Sequence, residues 1–176
     1  IILGLDLRKP KLAEYLSVSN DIGVSTILAG MHEVSDCITK TSVDNLDMIV
    51  AGPIPPNPSE LLLWPRLKQM IDALSETYRY IILDTPPLGL VSDSLVIANH
   101  VDATIYVVRE NITRSNDLDY INDIYNSGQI SGVSKIQIKN LLNALDKLKD
   151  THLIFTKSNA DNGGRAINQI IDEYVK

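Results

Sequence analysis

Two acidic residues stand directly behind short apolar runs: Asp6 in IILGLDLRKP and Asp84 in YIILDTPP. An apolar run that ends in an acid delivers a hard oxygen donor to the end of a buried strand, and such donors suit Mg²⁺. For each residue the plainer reading is a carboxylate that caps the following turn. Two such acids on two strands strengthen the metal reading, because one cation can be reached from both. Behind Asp84, Pro86 and Pro87 force the backbone away from the sheet. Behind Asp6, Arg8 and Lys9 offer positive charge to a phosphate or an acidic partner, or are simply solvated. LGLVSDSL places Ser92, Asp93 and Ser94 at a helix start, where they either cap the helix or line the rim of a site.

These candidates need a scaffold that gathers them. Residues 1–5, 46–51, 80–83 and 103–108 are short and dense in Ile, Leu and Val, as strands buried on both faces are. Between them, residues 10–16, 24–29, 60–78, 92–99 and 114–126 read as helices, the last with Leu118, Ile121, Ile124 and Tyr125 on one face. The alternation predicts an α/β fold with a doubly wound, mostly parallel sheet, whose ligands sit at the carboxyl ends of the strands. In AGPIPPNPSELL, Asn57 is an N-cap, Pro58 suits the first helical position and Glu60 completes a capping box. The stiff GPIPP before it sets how the chain enters that helix, and Pro65 breaks the helix or starts a second one.

Composition excludes several classes. The 176 residues are 44% hydrophobic and 22% charged, ordinary for a globular domain. The net charge of −6 lacks the basic footprint of a nucleic-acid binder. No apolar run approaches the roughly 20 residues of a membrane span. The single cysteine, Cys37, excludes an intrachain disulfide and fits a reducing cytoplasm. His32, His100 and His152 show no metal-site spacing, and GxSxG is absent. Protease, zinc-enzyme and esterase chemistries all lack their residues.

Taken together, GLDLRKPKL, LDMIVAGPIPPNPSELL and YRYIILDTPPLGLVSDSLVIANHVDATIYVVRENITR resemble the bacterial tyrosine kinases of exopolysaccharide and capsule synthesis. These have a MinD/ParA-like P-loop fold and form the cytoplasmic part of a polysaccharide co-polymerase. The resemblance spans residues 1–135, a nucleotide-binding domain, and leaves 136–176 as a strand and helix tail packed on it. GPIPPNPSELL is its most specific piece and speaks against a ParA/MinD-like ATPase. The resemblance implies that Asp6 and Asp84 are the catalytic and metal-binding acids, and it implies Mg²⁺ and ATP as cofactors. Arg8 and Asp93 are the candidate cofactor-binding residues. It also implies a membrane co-polymerase partner, or a transmembrane region of the same polypeptide, at the inner face of the bacterial membrane. A homo-oligomer is consistent with it, and no nucleic acid is involved.

Three departures shape the expected activity. Gly4 stands where the family has the first acid of an Asp-x-Asp pair. No GxxxxGK[ST] occurs, so the amide cradle and lysine that hold phosphates are absent from this chain. The seven tyrosines are scattered rather than clustered near the end. A chain of this kind is expected to bind ATP·Mg²⁺ weakly and not to phosphorylate itself, the alternative being a non-catalytic regulatory module. Residues 151–176 read as a strand, a Gly-containing loop and a helix, the outline of a phosphate loop without its lysine and hydroxyl.

Overall fold

The computed structural model describes residues 1–87, 93–106, 115–128, 130 and 153–158. Its centre is β1 (Ile2–Gly4), flanked on both sides by parallel strands, β3 (Asp47–Ile49) and β4 (Tyr80–Thr85). The register stacks Leu3 between Ile49 and Leu83, and all three side chains are fully buried. Ile2, Met48 and Ile82 share the opposite face. One face is covered by α2 (Val24–Leu28) and α4 (Pro65–Ser75), which bring Val24, Ile27 and Leu28, and Leu67, Met70, Ile71 and Leu74, into the main core. The spacing of the α4 residues is that of a single helical stripe. On the other face α1 (Leu12–Leu16) packs Leu12 and Ala13 with Met48 and Val50.

The expected helix over 60–78 is two helices. Trp64 is extended (φ −72°, ψ 144°) between α3 (Pro58–Leu63) and α4, because the Pro65 ring disfavours helical geometry in the preceding residue. Pro58 opens α3 as expected. The capping box does not form: Asn57 Nδ2 donates to Glu60 Oε2 (2.8 Å), so the side chains bond to each other rather than to backbone amides. The 3-10 turn Val34–Cys37 and the two-residue strand β2 (Thr39–Lys40), antiparallel to β3, carry too few residues for a periodic signal.

The sheet order is β2-β3-β1-β4-β6-β5. Here β5 (Ala103–Tyr106), joined to β4 through α5 (Asp93–Ala98) and followed by α6 (Ser115–Asn126), was expected beside β4. Instead β6 (Leu153–Ser158) lies between them, antiparallel to both. An apolar run marks a strand but not its direction or neighbour, so the insertion has no sequence signal. The spacing of Leu141, Leu142, Leu145 and Leu148 predicts a helix over 140–149, and this segment and the helix expected over 165–176 lie outside the described residues.

At the amino ends of the parallel strands, Asp47 accepts hydrogen bonds from Tyr78 Oη (2.6 Å) and Lys40 Nζ (2.7 Å). These two bonds hold the Asp47 carboxyl below its ordinary range. Burial, and then the bond to Asp47, push the Tyr78 phenol up from 10.0 to about 12. A raised folded-state value keeps its contribution intact below the ordinary value and loses it as pH climbs to the folded one. Folding stability should therefore fall between pH 10 and about 12. Tyr78→Phe should flatten that part of the urea-denaturation profile, and an unchanged slope would assign it elsewhere.

Candidate functional site

Parallel pairing decides where the acids go. Gly4 is the register partner of Asp84, and the Leu5 amide donates to the Asp84 carbonyl (2.7 Å). Asp6 follows two residues later, so both acids sit at the carboxyl edge of neighbouring strands. Asp6 is 7% exposed. Its Oδ1 accepts the backbone amides of Arg8 (3.1 Å) and Lys9 (2.9 Å), which turns the chain sharply after β1. Its Oδ2 has no hydrogen-bond partner among the described residues. Asp6 is thus a turn former through Oδ1, as its plainer sequence reading has it.

Arg8 and Asp93 are brought together, from positions 85 residues apart. Arg8 Nε donates to Asp93 Oδ2 (2.8 Å), and Arg8 Nη2 donates to Ser59 Oγ (2.7 Å). Ser59 Oγ in turn donates to Asp93 Oδ1 (2.7 Å), closing a ring of bonds. Burial alone would raise the Asp93 carboxyl, which is 2% exposed, but the bonds from Arg8 and Ser59 and the Arg8 charge outweigh it and hold the group below its usual range. The same bond to Asp93, reinforced by the charges of Asp93 and Asp6, raises Arg8 above its already high value. Ser94 donates its Oγ to the Pro86 carbonyl (2.7 Å), which fixes the start of α5 beside the turn after Asp84. Ser92 lies outside the described residues.

Sequence reasoning missed Ser59. In NPSE it reads as an ordinary first-turn residue of α3; only its closeness to Arg8 and Asp93 reveals its part. The loop that delivers it is pinned upstream. Gly52 takes a left-handed conformation (φ +79°), and Asn20 brackets it, accepting from its amide (2.9 Å) and donating to its carbonyl (2.7 Å).

No phosphate cradle forms among the described residues. The first amides of α2 donate to the carbonyls of Val50 (2.9 Å) and Ala51 (2.8 Å) and are unavailable to an anion. The place beside Asp84 is taken by β6, which runs from Leu153 opposite Thr85 to Ser158 opposite Tyr80. The chain therefore leaves β6 at the edge away from Asp84. The loop and helix of the outline read over 151–176 lie outside the described residues, and its strand, β6, runs antiparallel to β4. Among the described residues no group of three His, Cys, Asp or Glu side chains is placed to hold a metal, and no helix is long and apolar enough to cross a membrane.

No family model matches the chain. Over 109 residues it is 38% identical to the tyrosine-protein kinase Wzc of Salmonella typhi, covering 62% of this chain and 15% of Wzc. It superposes on the kinase domain of VpsO with a TM-score of 0.69 at 33% identity, over 75% of this chain and 66% of that one. Its homologues are bacterial tyrosine kinases. The septum site-determining protein MinD of Pyrococcus horikoshii, solved with Mg-ADP, matches at 20% identity with a TM-score of 0.58, a likeness of fold alone. The architecture is thus the α/β P-loop class that these tyrosine kinases share with MinD.

Against that family, Gly4 stands in a tight place. A Cβ added there would lie 2.9 Å from the Ala51 amide nitrogen and 3.4 Å from the Val50 carbonyl carbon, both backbone atoms. Gly4→Asp should therefore cost stability, about 1–3 kcal/mol as overpacked sites do, rather than add a metal ligand. Urea midpoints of Gly4→Ala and Gly4→Asp should fall together; a Gly4→Asp protein as stable as the parent would show that β1 and β3 yield.

Proposed function

We propose that this chain is the metal-binding part of a kinase domain that transfers phosphate from ATP to protein tyrosine in the control of exopolysaccharide or capsule synthesis. By itself it does not complete that reaction. The register of Gly4 on Asp84 carries the reading, because it sets Asp6 and Asp84 at one edge of adjacent parallel strands in a homologue of tyrosine kinases.

The donor set fits a hard cation that keeps much of its water: two carboxylates, one of them buried with an oxygen not engaged by the described residues. Asp6 and Asp84 would hold Mg²⁺, directly or through water. That cation would offset the negative charge of a transferring phosphoryl group. Arg8, anchored by Asp93 and Ser59 and with 39% of its side chain exposed, presents its remaining N–H groups to a phosphate oxygen, and Asp93 shapes that rim. The described residues do not fit the phosphates themselves, since no ring of free amides faces the acids.

The domain works at the cytoplasmic face of the membrane, attached to a polysaccharide co-polymerase or to a transmembrane region of its own polypeptide. A second reading, a non-catalytic regulatory module of that assembly, is favoured by β6, which fills the strand position beside Asp84 in the antiparallel sense.

Mn²⁺ added to the ¹⁵N-labelled chain should broaden the amide resonances of Leu7, Lys9 and Thr85, and Asp84→Asn should weaken the effect severalfold. Broadening spread over the surface, or unaltered by Asp84→Asn, would remove the metal site. Calorimetric titration with ATP·Mg²⁺ should show no micromolar binding, and no phosphotyrosine should appear in the same preparation. Tight binding with phosphotyrosine would make the chain an active kinase.

A further inference from the structure

Arg8 is covalently two residues from Asp6, and the guanidinium of an arginine is the natural partner of a buried carboxylate, which it binds with two parallel N–H groups. Such a pair would neutralise Asp6 and occupy the oxygen that a cation needs. The structure does not contain that pair. Arg8 gives Asp6 only its backbone amide, while its side chain turns to Asp93 and Ser59. Three hydrogen bonds converge on the Asp93 carboxylate: Arg8 Nε on Oδ2, with Arg8 Nη2 (3.4 Å) and Ser59 Oγ (2.7 Å) on Oδ1. Because Ser59 accepts from Nη2 while donating to Asp93, it fixes the plane of the guanidinium as well as its distance. Asp93 starts α5 and Ser59 lies in the first turn of α3, so the direction of the Arg8 side chain is dictated by two helices outside its own segment.

We propose that Asp93 and Ser59 are positioning residues that draw the Arg8 guanidinium away from Asp6, leaving the second carboxylate oxygen of Asp6 open to a divalent cation. The inference rests on the reading of Asp6 as a metal ligand. It makes a claim that a merely structural ion pair does not: removing Asp93 harms cation binding through Arg8, so removing Arg8 as well repairs it.

The experiment uses the full chain, ¹⁵N-labelled, with Mn²⁺ as the probe and line broadening at Leu7 and Lys9 as the measure of affinity. Asp93→Asn should weaken Mn²⁺ binding at least about fivefold, the effect of one freed positive charge within about 8 Å of a divalent cation in a solvent-like dielectric. Arg8→Gln added to Asp93→Asn should bring the affinity back to within about twofold of the parent, as a pairwise coupling requires. Ser59→Ala should act in the same direction with a smaller loss, and it carries the same test should Asp93→Asn fail to fold by circular dichroism.

The Arg8 Nε–H resonance gives a readout independent of any metal. Asp6→Asn should leave it in place in the parent and shift it in the Asp93→Asn (or Ser59→Ala) background, where Arg8 has moved onto Asp6. Unchanged Mn²⁺ affinity in the single variants would overturn the inference, as would a loss that Arg8→Gln does not repair. A parent chain that shows no Mn²⁺ effect at Asp6 would instead overturn the metal reading. The Arg8 resonance would then still decide whether Asp93 and Ser59 divert the guanidinium.

Discussion

Everything at the candidate site depends on the parallel pairing of β1 with β4. Three residues of β1 suffice because each inward side chain lands between two partners: Leu3 between Ile49 and Leu83, all withdrawn from water. Burying each such side chain contributes about 1.5–3 kcal/mol, and a slip of one residue would turn the whole set toward the other face. The same register that buries Leu3 sets Gly4 against Asp84. The hydrophobic core thus determines where the carboxylates stand. The close approach of Gly4 to the backbone at 50–51 is a consequence of that tight central pairing.

Charge is divided between the two ends of the sheet. At the amino end Asp47 is satisfied by Lys40 and Tyr78. At the carboxyl end Arg8 is, among the described residues, the cation tied into the acidic set, and it goes to Asp93. A buried carboxylate without compensation is costly, and a partnered one is stable but inert. Asp93 takes the partnered role, with three bonds, whereas Asp6 keeps one oxygen engaged by amides and one not. That asymmetry between two buried acids separates a structural carboxylate from one suited to a ligand.

Direction matters as much as residue type in the sheet. A phosphate loop works by opening at the carboxyl edge of parallel strands, where backbone amides converge on the ligand. The strand beside Asp84 has the right composition and a Gly-containing segment after it, but it runs the other way. Composition alone does not distinguish the two senses, because the same residue types favour a strand in either direction.

The sequence by itself determined the α/β class, the existence of the four apolar strands and β6, the break at Pro65, and the two acids behind apolar runs. These follow from local chemistry: β-branched and aliphatic runs, proline geometry, and side-chain types that retain their meaning in any fold. The tertiary structure alone decided that β6 enters between β4 and β5, that Asn57 bonds Glu60 instead of capping, and that Ser59 completes the link from Arg8 to Asp93. The link from Arg8 through Ser59 to Asp93 depends on segments that become neighbours across 34 to 85 residues of chain, which no local pattern encodes, whereas the Asn57–Glu60 bond is a local choice between two partners three residues apart. Arg8 shows the division most clearly. Its type and its place behind Asp6 were legible from the start, but the carboxylate it binds is chosen by the packing of α3 and α5 around the end of β1.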